Sequence, residues 1–280
     1  MALYTSGSGI GGLLPEQIHQ LIVQPVQRDS IAFQVTSVIA TNSTTSKFPI
    51  VTADPSAAWV PEGGEITPDD SEHDELEITH RKVAGLTIVS RELVEDSNPQ
   101  ALDIVGAGLV RSIVAKVDTA FFASTTANGP DGIGSTTHQF VDNGAGITNT
   151  DPFAEAISKA QNVGAQITNF VAHPNTVLAM AKLKEMTGSN KPLLGPDPAR
   201  PGAQTVLGVP LLVSPYVTNG DIWGIPQMFT YTTMRRNTTL SISEDAYFSS
   251  DRVGVKATMR VAFGFPHPAA IVRIGEPDES

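Results

Sequence analysis

One long apolar stripe constrains the fold most. Leu102, Val105, Leu109, Ile113, Val117 and Phe121 recur at three- and four-residue spacing, the period of a single helix face. The spacing predicts a helix over 99–124, set off by Asn98-Pro99, because a residue before proline is biased away from the helical region. At 1.5 Å per residue such a helix spans roughly 39 Å, and globular helices average only about 11–12 residues. A helix of this length implies an elongated subunit. It does not imply a membrane span: Asp103, Arg111, Lys116 and Asp118 interrupt it, and no stretch approaches the roughly 18 uncharged apolar residues a span requires.

The remaining patterns alternate helix and strand. Residues 1–14 are Gly- and Ser-rich and are expected to be mobile. Pro15 opens a helical pattern carrying Ile18, Leu21, Ile22 and Val26, which Pro25 shortens or kinks. Residues 31–40 and 47–51 read as strands. Residues 57–90 read as a long β-hairpin arm with a polar tip, in which Leu76, Ile78 and His80 share one face. A short helix is expected over 90–97, a loop over 128–134, helices over 152–163 and 174–186, and a proline-rich loop over 188–204. Strands are expected over 167–172, 206–213, 221–225, 228–233, 238–243, 252–263 and 269–274. The layout is α+β rather than a βαβ series, and no repeat of fixed period is visible.

Charge is concentrated in one place. The chain holds 18 Lys+Arg against 29 Asp+Glu, a net charge of −11. Residues 62–77 contain Glu62, Glu65, Asp69, Asp70, Glu72, Asp74, Glu75 and Glu77 and no Lys or Arg. The balance excludes a protein that coats nucleic acid over its whole surface. The acidic window fits a solvated charged tip, a protein-contact surface or a metal site, although it lacks the spacing of a helix-flanked calcium loop.

No motif for chemistry emerges. Gly7-Ser8-Gly9-Ile10-Gly11-Gly12 matches G-x-G-x-x-G in form, but no strand fits before it, as a dinucleotide site requires. The six histidines, His19, His73, His80, His138, His173 and His267, show no helical zinc spacing. His173-Pro174 reads as a structural strand-to-helix turn. Ser112 and Lys116 share a face of the long helix without a further partner, and G-x-S-x-G is absent. With no cysteine in the chain, disulfides, thiolate metal sites and cysteine nucleophiles are excluded. No cofactor is expected. The N-terminus has neither a basic region nor a long apolar core, so no signal peptide is expected, and a soluble, intracellularly made protein is. This profile fits a shell-forming protein better than an enzyme.

The order of mobile arm, long hairpin, long helix, α/β region and terminal strands resembles the major capsid proteins of tailed bacteriophages, the Hong Kong 97-like fold family. Ala58-Trp59-Val60-Pro61-Glu62-Gly63 resembles the start of that family's extended loop. Val89-Ser90-Arg91-Glu92-Leu93-Val94-Glu95-Asp96-Ser97 resembles the segment between that loop and the long spine helix. Residues 128–134 resemble the loop after the spine helix. Leu207-Gly208-Val209-Pro210-Leu211 and Pro268-Ala269-Ala270-Ile271-Val272 resemble later landmarks. The similarity is distributed over most of 15–275.

The resemblance implies an N-terminal arm over 1–42, an extended loop with flanking strands over 43–89, a peripheral domain over 90–142 and 229–280 containing the spine helix, and an axial domain over 143–228 around five-fold and six-fold centres. Residues 244–252 would be the peripheral loop near three-fold contacts. It implies a protein that self-assembles into pentamers and hexamers of an icosahedral head around double-stranded DNA, in the virion and assembled in the host cytoplasm. Separate scaffolding and portal proteins are implied, and cement proteins are conceivable partners. Some relatives join an extended-loop lysine to a neighbour's asparagine; here those positions fall at Glu75 and near Asp251, and no cross-link is expected. The extended-loop contact to a neighbour would use Trp59, Glu62, Glu65, Asp69, Asp70, Glu72, Asp74 and Glu75, with Arg235, Arg236 and Arg252 as candidate basic acceptors. A lumenal surface without strong basic patches would let packaged DNA slide. The alternatives are an encapsulin-like nanocompartment shell and, in a different class, a hydrolase with no recognisable motif.

Overall fold

In the computed structural model of the chain, residues 24–53, 57, 59–63, 65, 72–90, 100–144, 146–186, 188–194, 204–235, 239–243, 247 and 250–277 are described. The expected mobile segment and most of the first helical pattern lie outside them, as do Asp69, Asp70, Arg236 and all of the expected helix over 90–97 except Ser90, which is the last residue of a strand.

The chain begins with two short helices, α1 (Gln24–Asp29) and α2 (Ile31–Val35), followed by strand β1 (Ser37–Thr41). The expected strand over 31–40 is therefore half helix. The cause is tertiary. Asp118 accepts hydrogen bonds from the Ile31 and Ala32 amides at 3.1 and 3.0 Å and from the Ser30 hydroxyl at 2.5 Å. These are amides that the first turn of a helix leaves without partners. A cap supplied from elsewhere in the chain thus overrides the weak strand preference of Ile31 and Val35. The turn then buries Ala32, Phe33 and Val35.

Strands β2 (Thr45–Ala53) and β3 (Glu72–Thr79) pair antiparallel, with Phe48 opposite Leu76 and Lys47 opposite Glu77. This corrects the expected hairpin over 57–90: its first strand lies earlier, and β4 (Arg81–Ser90) leaves the ribbon for another sheet. His80, the one residue between β3 and β4, is buried, as is Ile78. Both were expected to share a face with Leu76, which is half-buried.

The long helix, α3 (Gln100–Phe122), matches the apolar stripe and is about 35 Å long at 1.5 Å per residue. It covers a five-stranded sheet. There β12 (Arg252–Gly264) pairs along one edge with β4, and along the other with β10 (Tyr231–Arg235) and β11 (Thr239–Ser243); β1 continues beyond β10. Successive strand residues point to opposite faces. The odd positions Val89, Val253, Val255, Ala257, Met259 and Val261 are buried, and Leu109, Val110, Ile113, Val117 and Phe121 of the helix share their core. Gly85 sits where a Cβ would lie 2.9 Å from the Leu109 side chain, so the helix approaches the sheet only because that side chain is missing.

A second sheet runs in the order β5 (Gln139–Asp142), β13 (Val272–Gly275), β9 (Ile222–Ile225), β6 (Asn169–Ala172), β8 (Val209–Val213), β7 (Gln204–Val206). Helices α4 (Asp151–Asn162) and α5 (Pro174–Lys182) accompany it. Strand β9 is buried throughout. Its Ile222 belongs to a core with Phe153, Phe170 and Met180, whereas Trp223 and Ile225 belong to the core of the long helix. Period-2 alternation in one strand thereby serves both cores. His173 caps α5, its Nδ1 accepting from the Asn175 amide at 3.2 Å, which is the structural role expected of it.

Candidate subunit interface

Strand β3 of the two-stranded ribbon carries the end of the acidic window, Glu72, Asp74, Glu75 and Glu77. Each strand of eight or nine residues rises about 3.4 Å per residue, giving a projection of roughly 25–30 Å. Its root is apolar. Phe48 stacks on Tyr231 of β10, with ring centroids 5.1 Å apart, and Ile78 lies against Gly264 at the end of β12. A cleft of about 630 Å³ opens beside the root, lined in part by Ile78, Arg81, Asn128, Asp131 and Phe263. A two-stranded ribbon is marginal on its own, so it is this root packing that holds the described part of the arm.

Of the acidic residues proposed from sequence, Glu62, Glu65, Asp74 and Glu75 are exposed. Glu72 lies at the start of β3. Trp59 is fully exposed and Val60 is 39% exposed. Glu75 has a partner within its own chain: Lys47 donates to its carboxylate at 2.7 Å across the ribbon. That hydrogen bond and the adjacent charge hold the Lys47 ammonium above its ordinary range. Sequence reading did not find this pair, because it took the first ribbon strand to lie after residue 57. Among the described residues no three His, Asp or Glu side chains converge on a point where a metal could sit.

The basic candidates are separated. Arg235 ends β10, half-buried, and Arg252 opens β12, exposed. Arg252 belongs to a larger set. The solvent face of the five-stranded sheet carries the even positions of β4 and β12. Register places Lys82 opposite Arg260, Leu86 opposite Lys256, Ile88 opposite Gly254 and Ser90 opposite Arg252. Leu86 is 59% and Ile88 44% exposed. Lys82, Lys256 and Arg260 were not singled out from sequence. Only the parity of the two strands, once their register is known, reveals that they share a face.

Two polar clusters lie in the interior among the described residues. Asp118 is buried, and that burial raises its carboxyl above the ordinary range, with the Ser30, Ala32 and Ile31 donors offsetting part of the effect. Asp221 and Arg273 form a mostly buried pair at 3.2 Å. Ser112 and Lys116 are exposed on α3. No helix among the described residues is long and apolar enough to cross a membrane.

The sequence pattern of the phage capsid family matches residues 11–275. The fold is similar to the capsid of an empty GTA particle, with a TM-score of 0.72 at 17% identity over 98% of this chain and 95% of that one. It is similar to a chain of Mycobacterium phage Adephagia, with a TM-score of 0.74 at 13% identity over 90% and 91%. It is also similar to a chain of Gordonia phage Cozz, with a TM-score of 0.67 at 18% identity over 89% and 87%. No protein with a curated description matches. At these identities the structures establish the Hong Kong 97-like fold, and the match over 11–275 establishes the family: the chain belongs to the phage capsid family and is a major capsid protein that forms a phage head shell.

Proposed function

We propose that the chain assembles into pentamers and hexamers of an icosahedral head enclosing double-stranded DNA, each subunit handing its acidic hairpin to the next. The observation that carries this reading is the fully exposed Trp59 close in sequence to the exposed carboxylates Glu62 and Glu65, in the segment between the two ribbon strands. Large apolar surface left in water marks a contact site, and a donor surface distinct from its acceptor makes a heterologous contact, which closes into rings under rotation. Trp59, Glu62, Glu65, Asp69, Asp70, Glu72, Asp74 and Glu75 form the donor surface, and Arg235, Arg236 and Arg252 are its basic acceptors.

In this reading residues 1–42 are the N-terminal arm, 43–89 the extended loop, 90–142 with 229–280 the peripheral domain, and 143–228 the axial domain. The chain acts by assembly and not by catalysis. It is built in the host cytoplasm with separate scaffolding and portal proteins and holds DNA without sequence preference. No isopeptide bond joins subunits: residues 62–77 contain no lysine, and Lys47 is engaged by Glu75. Neither an encapsulin-like shell nor a hydrolase is favoured. Expressing the chain alone and imaging it by negative-stain electron microscopy tests the proposal. Uniform capsomer rings or closed icosahedra are expected, and a persistent compact monomer would overturn it.

A further inference from the structure

The sequence contains three Asn-Gly pairs, Asn128-Gly129, Asn143-Gly144 and Asn219-Gly220. Such a pair is open to an internal reaction. The glycine amide nitrogen attacks the asparagine Cγ and gives up its proton to solvent base. A new N–Cγ bond forms, and the side-chain nitrogen leaves as ammonia. Water then opens the cyclic imide at either carbonyl, giving aspartate or an isoaspartate in which the backbone runs through the side chain. No reactant other than water is consumed. Glycine favours the attack because no Cβ shields its nitrogen and its backbone turns freely. Two freedoms are required: the glycine N–H must leave its acceptor, and the asparagine side chain must rotate onto that nitrogen.

The fold restrains the three pairs unequally. The Gly220 N–H donates to Thr176 Oγ1 at 3.0 Å, and that hydroxyl donates to Asn219 Oδ1 at 3.4 Å. Thr176 is 7% exposed on α5, so nucleophile and electrophile are both tied to one buried atom. The Gly144 N–H donates to the Asp142 carboxylate at 2.8 Å, whose negative charge opposes deprotonation of that nitrogen. The Asn143 amide, oriented with its nitrogen as donor, reaches the carbonyls of Gly275 and Gly144 at 3.0 Å each. Gly275 ends β13, so this side chain is anchored to a core strand.

Asn128 differs. Its side chain is exposed, and the Gly129 N–H closes a local turn on the Thr126 carbonyl at 2.9 Å. Asn128 holds φ at +59°, a left-handed conformation that asparagine accepts more readily than most residues. Exposed turns of this kind open at low cost, without disturbing a core. Position 129 is confined to glycine, since a Cβ there would lie 2.6 Å from Thr126 Cγ2.

We infer that Asn128 is a site of spontaneous deamidation and that the fold protects Asn143 and Asn219. The product sets a new carboxylate in the cleft beside the ribbon root, which Glu77, Arg81 and Asp131 also line. The inference does not depend on the shell-forming reading.

The test is site-resolved mass spectrometry of the full chain, held in mildly alkaline buffer made with heavy-oxygen water so that only conversion during the incubation carries the label. Asn128 should convert roughly tenfold faster than Asn143 or Asn219, the factor that about 1.4 kcal/mol of extra restraint produces. It should yield isoaspartate as well as aspartate. In urea, where the restraining bonds are lost, that lead should vanish. Thr176→Val keeps the side-chain volume and removes the hydroxyl; it should speed conversion at Asn219 and leave Asn128 unchanged. Asn143 or Asn219 converting as fast as Asn128 in the folded chain would overturn the inference. So would an Asn128 that stays unlabelled while the urea-unfolded chain converts. An unchanged rate at Asn219 in a folded Thr176→Val would overturn the protection assigned to that hydroxyl. Should this variant fail to fold, the comparison of folded with urea-unfolded wild type decides the matter alone.

Discussion

Substitution of Asp118 by alanine tests how the N-terminal helices are joined to the long helix. The Asp118 carboxylate receives Ser30 Oγ at 2.5 Å, Ala32 N at 3.0 Å and Ile31 N at 3.1 Å. Asp118 is 2% exposed and Ser30 is fully buried, so water cannot readily replace the lost acceptor. Each orphaned donor costs about 1–3 kcal/mol. Relief of the carboxylate's own desolvation offsets part of that sum, which leaves a net loss of about 3–4 kcal/mol. In thermal unfolding of the unassembled subunit this corresponds to a fall in Tm of roughly 6–16 °C. Asp118→Asn keeps the oxygen that serves Ser30 and Ala32 but turns an amide donor towards Ile31 N, and should cost about 1–2 kcal/mol.

The pH dependence has a definite sign. Burial raises the Asp118 carboxyl in the folded state, so its proton-linked contribution is fully present below about pH 4, the unfolded value, and is lost as pH rises through the folded value. The difference between wild type and Asp118→Asn should therefore be larger in acid than at pH 7. A change in Tm of under about 1 °C for Asp118→Ala, or a wild-type advantage that grows with pH, would refute this assignment.

Three further outcomes follow from the packing. Phe153→Ala should destabilise the second core by about 3–5 kcal/mol, because the ring is fully buried and meets Phe170 edge-on at 5.0 Å; urea titration of the subunit measures it. Gly132→Ala should cost more than the roughly 1–3 kcal/mol of ordinary overpacking. Its Cβ would overlap the backbone carbonyl oxygens of Ala120 and Ala123 at the end of the long helix; loss of soluble subunit on expression at 37 °C is the readout. Trp59→Ala should leave subunit unfolding within about 0.5 kcal/mol of wild type while reducing capsomer formation in sedimentation velocity, since the ring touches solvent only.

How far the sequence reveals the fold depends on how local each cause is. The long helix was legible because its stripe is self-contained: Leu109, Ile113, Val117 and Phe121 repeat within one segment and are buried on one face. The strand β12 and the helices at 151 and 174 were legible for the same reason. The strand expected over 31–40 failed at its first half because the cap comes from Asp118, 87 residues away from Ile31. Strand β5 escaped notice. Its four residues Gln139–Asp142 have no pattern of their own and are held by parallel pairing with β13 at the far end of the chain. The hairpin was recognised as an acidic projection, but its first strand was misplaced. The Lys47–Glu75 pair that marks the true partner is visible only in register. The basic face lay hidden for the same reason: Lys82 and Arg260 are far apart in sequence and directly opposed in space.

The central claim is that this chain closes a shell by laying its acidic arm on a neighbour, and an icosahedral cryo-electron microscopy reconstruction of particles formed by the chain alone tests it most directly. The expected map shows pentamers and hexamers in which the acidic hairpin of each subunit, Trp59 included, rests on the next subunit, with no continuous density joining the chains and a single band near 29.6 kDa in denaturing gels. Particles whose hairpins fold back on their own subunit, or the absence of any closed particle, would contradict it.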